Sequence, residues 1–381
     1  MYFSVFAFII WRLLTLFVSY VAQRTIPYLG FFPYGEILEG FHLPSWLTGF
    51  ANFDGLHYLR IATDGYSQYE QAFFPLYPLL IKLISYFFRG NMFAAAFVLS
   101  SVSFLIGLTL FFKLASKFQK KENTPWTLLF LLLFPTAFYF GALYTEGLFF
   151  LLVIASLYFL QEKKYIYVCI FSFLASTTRL IGVFLIVPFF FSLITSKEEL
   201  VKKLNFKSVA LLLSPCIGLL TYVGYLWIST GDPLIFFNAQ PKFGANRSTH
   251  LILLPQVYYR YFKIIFTAAH NFQWVMSLVE MCFFSIVFVV LILDLFSIMK
   301  MKRNENKAFF LGLNLFSLIN VLLPTLTGTF SSIPRYALFS LSFFFYLGGI
   351  KSKMIKSVIA LLFLTGQIIL LSLFVQGYFV G

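Results

Sequence analysis

Apolar runs of membrane-crossing length recur along this chain from its first residues to its last. About 20 mostly apolar residues are needed for a helix to cross the hydrocarbon core of a bilayer, and a helix satisfies its own backbone hydrogen bonds there. The chain is 60% hydrophobic and 11% charged, where a soluble protein carries roughly 25% charge. An all-α polytopic membrane protein is the expected fold class. The runs predict spans at about 3–22, 91–113, 124–141, 147–161, 165–178, 180–195, 208–229, 273–298, 308–324, 335–350 and 357–376, about eleven in all. The first run contains Trp11 and Arg12 and lacks a small-residue cleavage site, so it reads as a retained span. Cys169, Cys216 and Cys282 all lie inside apolar runs and point to neither a disulfide framework nor a metal site.

Charge sets the orientation. Segment 74–88 carries Pro75, Pro78 and Lys82 and offers only about 15 residues, so it is expected to lie along the surface rather than cross. The lysine clusters at 113–121, 163–164, 197–207, 300–307 and 351–356 then share one side, with Arg303 as their one loop arginine. This is the positive-inside pattern. The net charge of +14 is thereby an orientation signal and calls for no nucleic-acid partner. Two long loops, 23–90 and 230–272, face the other side. They and the lips beside them hold His42, His57, His250 and His270 together with Arg24, Arg60, Arg89, Arg179, Arg247, Arg260 and Arg335. Lysine suffices for orientation, whereas the planar guanidinium fork grips phosphate. The arginine-rich side is therefore the expected working face.

The densest polar stretch runs from Asn52 to Tyr66 in the first of these loops. At helical spacing Asp54, His57, Arg60 and Asp64 share one face, giving an amphipathic juxtamembrane helix with Asn52 as the expected N-cap and Gly65 as the stop. Three shorter motifs sit at lips of apolar runs on the same side: Tyr144-Thr145-Glu146, Thr177-Thr178-Arg179 and Pro334-Arg335-Tyr336. Ionisable groups there usually have partners or a function. Taken singly, each has a plain structural reading. Asp54 complements a helix dipole, Arg60 and Asp64 form a one-turn ion pair, Glu146 caps the following helix, and Arg179 and Arg335 snorkel to water.

The order of these motifs resembles the GPI mannosyltransferase II (PIG-V) family and its prokaryotic relatives, within the GT-C class of membrane glycosyltransferases. The residues that carry the resemblance are Phe53-Asp54, Leu59-Arg60-Ile61-Ala62, Gly65-Tyr66 and Phe73-Phe74-Pro75-Leu76-Tyr77-Pro78, then Tyr144-Thr145-Glu146, Thr178-Arg179 and Pro334-Arg335-Tyr336. They span about 50–340. Phe53 stands where that family usually has tryptophan.

The resemblance implies a single GT-C-like transmembrane domain over 1–381, with the catalytic motif in the loop 23–90 and no soluble C-terminal domain. It implies transfer of a hexose, expected to be mannose, from a polyprenyl-phosphate donor to a hydroxyl of a glycan, glycolipid or protein acceptor. The membrane is expected to be a prokaryotic plasma membrane, or the endoplasmic reticulum in a eukaryote, with the active site on the outer or luminal side. Asp54 is the expected general base. Arg179 and Arg335 are expected to meet the leaving phosphate, with Arg60 next, His57 as helper, Glu146 orienting an arginine or contacting the sugar, and Tyr144 and Tyr336 in the same substrate site. One carboxylate base and a pre-activated donor fit inversion. No metal ligand set and no cofactor is expected, and dependence on a divalent ion stays open. A flippase or transporter of lipid-linked sugars and a glycan ligase or polymerase are the alternatives. A transporter needs charges along its path, and here Arg12, Glu280 and Asp294 are the main charges within spans.

Overall fold

A computed structural model of the protein describes residues 2–29, 36–193, 206–243, 247–302 and 304–381. Lys197, Lys202, Lys203 and Arg303 of the positive-inside pattern lie outside the described residues. Among the described residues every regular element is helical, as the apolar runs require.

Six helices are long and apolar enough to cross a membrane: Tyr2–Thr25, Met92–Phe118, Lys207–Thr230, Phe272–Met299, Glu305–Thr325 and Lys353–Val375. They coincide with six of the expected spans. The other five expected spans are shorter or broken helices. Thr124–Leu133 stops ahead of Pro135 and resumes as the 3-10 turn Ala137–Gly141, because the residue before a proline is driven out of helical geometry. Glu146–Gln161 and Tyr165–Ser176 have 16 and 12 residues, about 24 and 18 Å of helix. The stretch after Arg179 is a 3-10 turn, Leu180–Leu185, followed by Ile186–Leu193. The segment around Arg335 is broken into Ile333–Tyr336, Ala337–Phe339 and Leu341–Gly348. Glu146–Gln161 lies at the centre, buried along most of its length between Met92–Phe118 and Tyr165–Ser176.

Segment 74–88 forms the ten-residue helix Leu76–Ser85 and the 3-10 turn Tyr86–Phe88, too short to span. It buries Tyr77 and Ile81 and exposes Leu79, Leu83, Tyr86 and Phe87. One apolar face thus packs on the protein and the other is turned outward, as suits a helix lying at a lipid surface.

Arg12 sits inside the first long helix, 8% exposed. Its guanidinium lies over the rings of Phe97 and Phe50, at 4.4 and 5.1 Å, and finds no hydrogen-bond partner among the described residues. A desolvated cation–π contact contributes about 2 kcal/mol, while burying an unpaired ion costs several. Arg12→Met is therefore expected to leave the unfolding temperature unchanged or to raise it, as measured in detergent. A fall of several degrees would show that the cation is a net stabiliser.

Candidate active site

The helix that carries Asp54 is set by its entry. Phe53 precedes it with φ +58, a left-handed conformation that is uncommon for a bulky residue. Neighbours hold it there. The Phe53 ring packs on Phe374 and Phe379, and the Asn52 amide donates to the carbonyl oxygens of Phe374 and Val375 at 2.9 and 3.3 Å. Asn52 thus ties the motif to the end of the last long helix. The helix itself is Asp54–Asp64, with Phe53 at the N-cap and no side-chain cap, which corrects the expected role of Asn52. Gly65 ends the helix with φ +86, as expected.

A second segment is laid directly against the first. The Leu143 amide donates to Phe50 O at 3.0 Å, and the Tyr144 hydroxyl donates to Asn52 O at 2.6 Å. Gly55 permits this approach, since a Cβ there would sit 3.2 Å from Leu143 O. The third segment joins through the Leu76 amide, which donates to Thr177 O at 3.2 Å. The fourth is fixed from both sides. Thr136 Oγ1 donates to Pro334 O and Asn320 Nδ2 donates to Tyr336 O, each at 2.6 Å, and Ser332 starts the turn in left-handed geometry, φ +65.

The charges then converge. Arg335 Nη1 donates to Asp54 Oδ2 at 2.6 Å, and Arg335 Nε lies 3.2 Å from Glu146 Oε1. Arg179 Nη1 donates to the same Glu146 oxygen and to Thr145 Oγ1 at 3.1 Å. The result is a chain Asp54–Arg335–Glu146–Arg179. Aromatic rings line it: Tyr139, Tyr144 and Tyr336 around Arg335, and Phe149, Tyr336 and Phe339 around Arg179. The two carboxylates are not equivalent. The Asp54 side chain is 26% exposed and that of Glu146 0%, so a substrate can reach only the first. Burial alone would push the Asp54 carboxyl up, but Arg335, with His57 and Arg247 behind it, outweighs burial and holds it below the ordinary aspartate range.

Six of the expected site residues are therefore brought together: Asp54, Tyr144, Glu146, Arg179, Arg335 and Tyr336. His57 and Arg60 gather one step away, around Glu70. His57 Nδ1 is 2.9 Å and Arg60 Nη1 3.6 Å from Glu70 Oε1, while Arg60 Nη2 donates to Ser67 Oγ at 3.1 Å. The sequence reading passed over Glu70. Its signal was available, since it is the one carboxylate between Gly65-Tyr66 and the Phe73-Phe74-Pro75 run. Arg247, expected on the arginine-rich face but given no place in the site, donates from its guanidinium to Ser332 Oγ at 3.3 Å. Among the described residues no three His, Cys, Asp or Glu side chains gather in the manner of a metal site.

The sequence model of the mannosyltransferase (PIG-V) family matches residues 3–229 of the chain. The match takes in Asp54, His57, Arg60, Tyr144, Glu146 and Arg179 and ends before Arg335 and Tyr336, which join the site through the contacts above. No curated protein matches the chain. With more than half of its residues covered, the chain belongs to the mannosyltransferase (PIG-V) family.

Proposed function

We propose that the protein transfers mannose from polyprenyl-phosphate mannose to an acceptor hydroxyl, with inversion, as a GT-C enzyme whose site opens on the outer face. The observation that supports this reading best is the asymmetry of the two carboxylates. Within a mannosyltransferase-family chain, Asp54 is ionised and reachable, whereas Glu146 is sealed between two arginines. The five short helices are embedded with the six long ones in this proposal, giving about eleven membrane segments.

Arg335 holds Asp54 Oδ2 and leaves Oδ1 to take the acceptor proton. As that O–H bond breaks, the acceptor oxygen attacks the anomeric carbon. The bond from that carbon to the phosphate oxygen breaks, and its electron pair leaves with polyprenyl phosphate. The remaining N–H groups of Arg335 and Arg179 face the leaving phosphate, fixed in advance by Glu146. Glu70 keeps His57 and Arg60 oriented beside this centre.

The test is an assay with purified protein, polyprenyl-phosphate mannose labelled in the sugar, and a panel of hydroxyl acceptors. Release of mannose to water serves as the readout that needs no acceptor. One polyprenyl phosphate is expected per mannose released, and the product should carry the inverted anomeric configuration. Passage of the intact lipid across vesicles without cleavage would instead identify a flippase.

A further inference from the structure

The donor's phosphate gains negative charge as the sugar leaves it, so the site needs a cation whose charge is not already matched. Most of the cations here are matched. Arg335 faces Asp54 and Glu146, Arg179 faces Glu146, and Arg60 and His57 face Glu70. Arg247 differs. Its Nη1 donates to Gln240 Oε1 at 2.9 Å and its Nη2 to Ser332 Oγ at 3.3 Å, both neutral acceptors. Glu280 lies near enough to feel the Arg247 charge, but the two form no ion pair, and the Glu280 carboxylate accepts from the Tyr261 hydroxyl at 2.6 Å.

The chain holds this guanidinium at the site deliberately. Ser248 N donates to Thr327 O and Ile252 N to Leu326 O, both at 2.9 Å, and Arg260 Nη1 donates to Gly328 O at 3.2 Å. The segment from Ser248 into the helix Leu254–Thr267 is thus stitched to 326–328. Ser332, which accepts from Arg247, is also the residue whose carbonyl receives the Arg335 amide at 3.0 Å. Arg247 and Arg335 therefore flank one turn, and the Arg247 charge is felt at Asp54. The side chain is half-buried, open enough to meet a ligand.

We propose that Arg247 binds the phosphate of the polyprenyl-phosphate donor and, after transfer, of the released polyprenyl phosphate. The proposal rests on the polyprenyl-phosphate reading above. It gives Arg247 a direct part in substrate binding, and this residue lies beyond the matched stretch 3–229. A guanidinium bound to two neutral acceptors can exchange one of them for a phosphate oxygen, and a fork–phosphate contact is charge-assisted on both sides.

The test uses the full chain in detergent with farnesyl phosphate, farnesol and inorganic phosphate as probes, binding measured by calorimetry. Arg247→Ala is expected to weaken farnesyl phosphate binding by about tenfold or more. Arg247→Lys should lie between the two, and the exposed Arg89→Gln should match wild type. Farnesol binding should be the same in all four proteins, and inorganic phosphate should bind far more weakly than farnesyl phosphate, which marks a lipid-borne phosphate. In the transfer assay Arg247→Ala should raise KM for the donor more than it lowers kcat. Unchanged farnesyl phosphate binding in Arg247→Ala, or equal loss in Arg89→Gln, would overturn the assignment, as would a wild type that does not bind the probe. Arg247-dependent binding without any mannose release would support the phosphate site and defeat the transferase reading. Matched unfolding temperatures exclude a folding defect as the cause.

Discussion

Asp54→Asn is expected to lower mannose transfer by about 10²- to 10⁴-fold, with little change in donor KM and a modest change in unfolding temperature. Asparagine keeps the shape and an oxygen that can still accept from Arg335, and Glu146 stays beside Arg335 at 3.2 Å. What disappears is the group able to take the acceptor proton. A thousandfold loss corresponds to about 4 kcal/mol in the barrier, and because the interaction is made in the transition state it should appear in kcat and kcat/KM alike. The pH profile adds an independent readout. Asp54 lies below the ordinary aspartate range, so it is ionised throughout neutral pH. The acid limb of kcat/KM should fall below pH about 4, and Asp54→Asn should abolish that limb. A carboxylate held so low is a weak base, which suits an acceptor hydroxyl that becomes acidic only as its bond to carbon forms. Retention of more than a tenth of wild-type activity in Asp54→Asn would sink the role assigned to Asp54.

Much of this site is legible in the chain itself, and the reason is local. Asp54, His57 and Arg60 fall on one face of a single helix, so period alone groups them. Gly65 announces where that helix ends. The ion pairs are not local. Asp54 meets Arg335 across 281 positions and Arg179 meets Glu146 across 33, and only their shared place at the lips of apolar runs hinted at a meeting. The pairing was legible only as to side: two arginines expected to await a phosphate are found each facing a carboxylate. Asn52 misled for a different reason. It has the side chain of a cap, but the carbonyls of Phe374 and Val375 compete for it, and tertiary contact won over local preference. Hydropathy likewise identified the six long helices, while the other five apolar runs fold as shorter or broken helices whose breaks hydropathy does not show. Glu146–Gln161, only 16 residues long, is packed by protein along most of its length, which its hydropathy alone does not reveal.

Glu146→Gln is expected to do its damage through folding. Glu146 is fully buried, with one oxygen serving both Arg179 and Arg335. The substitution keeps size and shape and removes the charge, leaving two largely buried guanidiniums with Asp54 as their only carboxylate. Removing one partner of a buried ion pair typically costs about 3–5 kcal/mol, a large fraction of the about 5–15 kcal/mol that holds a domain folded. The variant should therefore show a lower yield, an unfolding temperature several degrees below wild type and no measurable transfer. Removing the stranded cation should reverse the first two effects but not the third. Arg179 lies among Phe149, Tyr336 and Phe339, a surface on which methionine packs well. Arg179→Met in the Glu146→Gln background should recover most of the lost stability while transfer stays absent, since Arg335 would still lack one of its two carboxylates and the leaving phosphate one donor. The double-mutant cycle measures this directly, and the coupling between positions 146 and 179 should reach about 2 kcal/mol or more. Coupling near zero would mean that the Glu146–Arg179 contact contributes nothing to holding the site together. A double variant as active as wild type would mean that it contributes nothing to the reaction either.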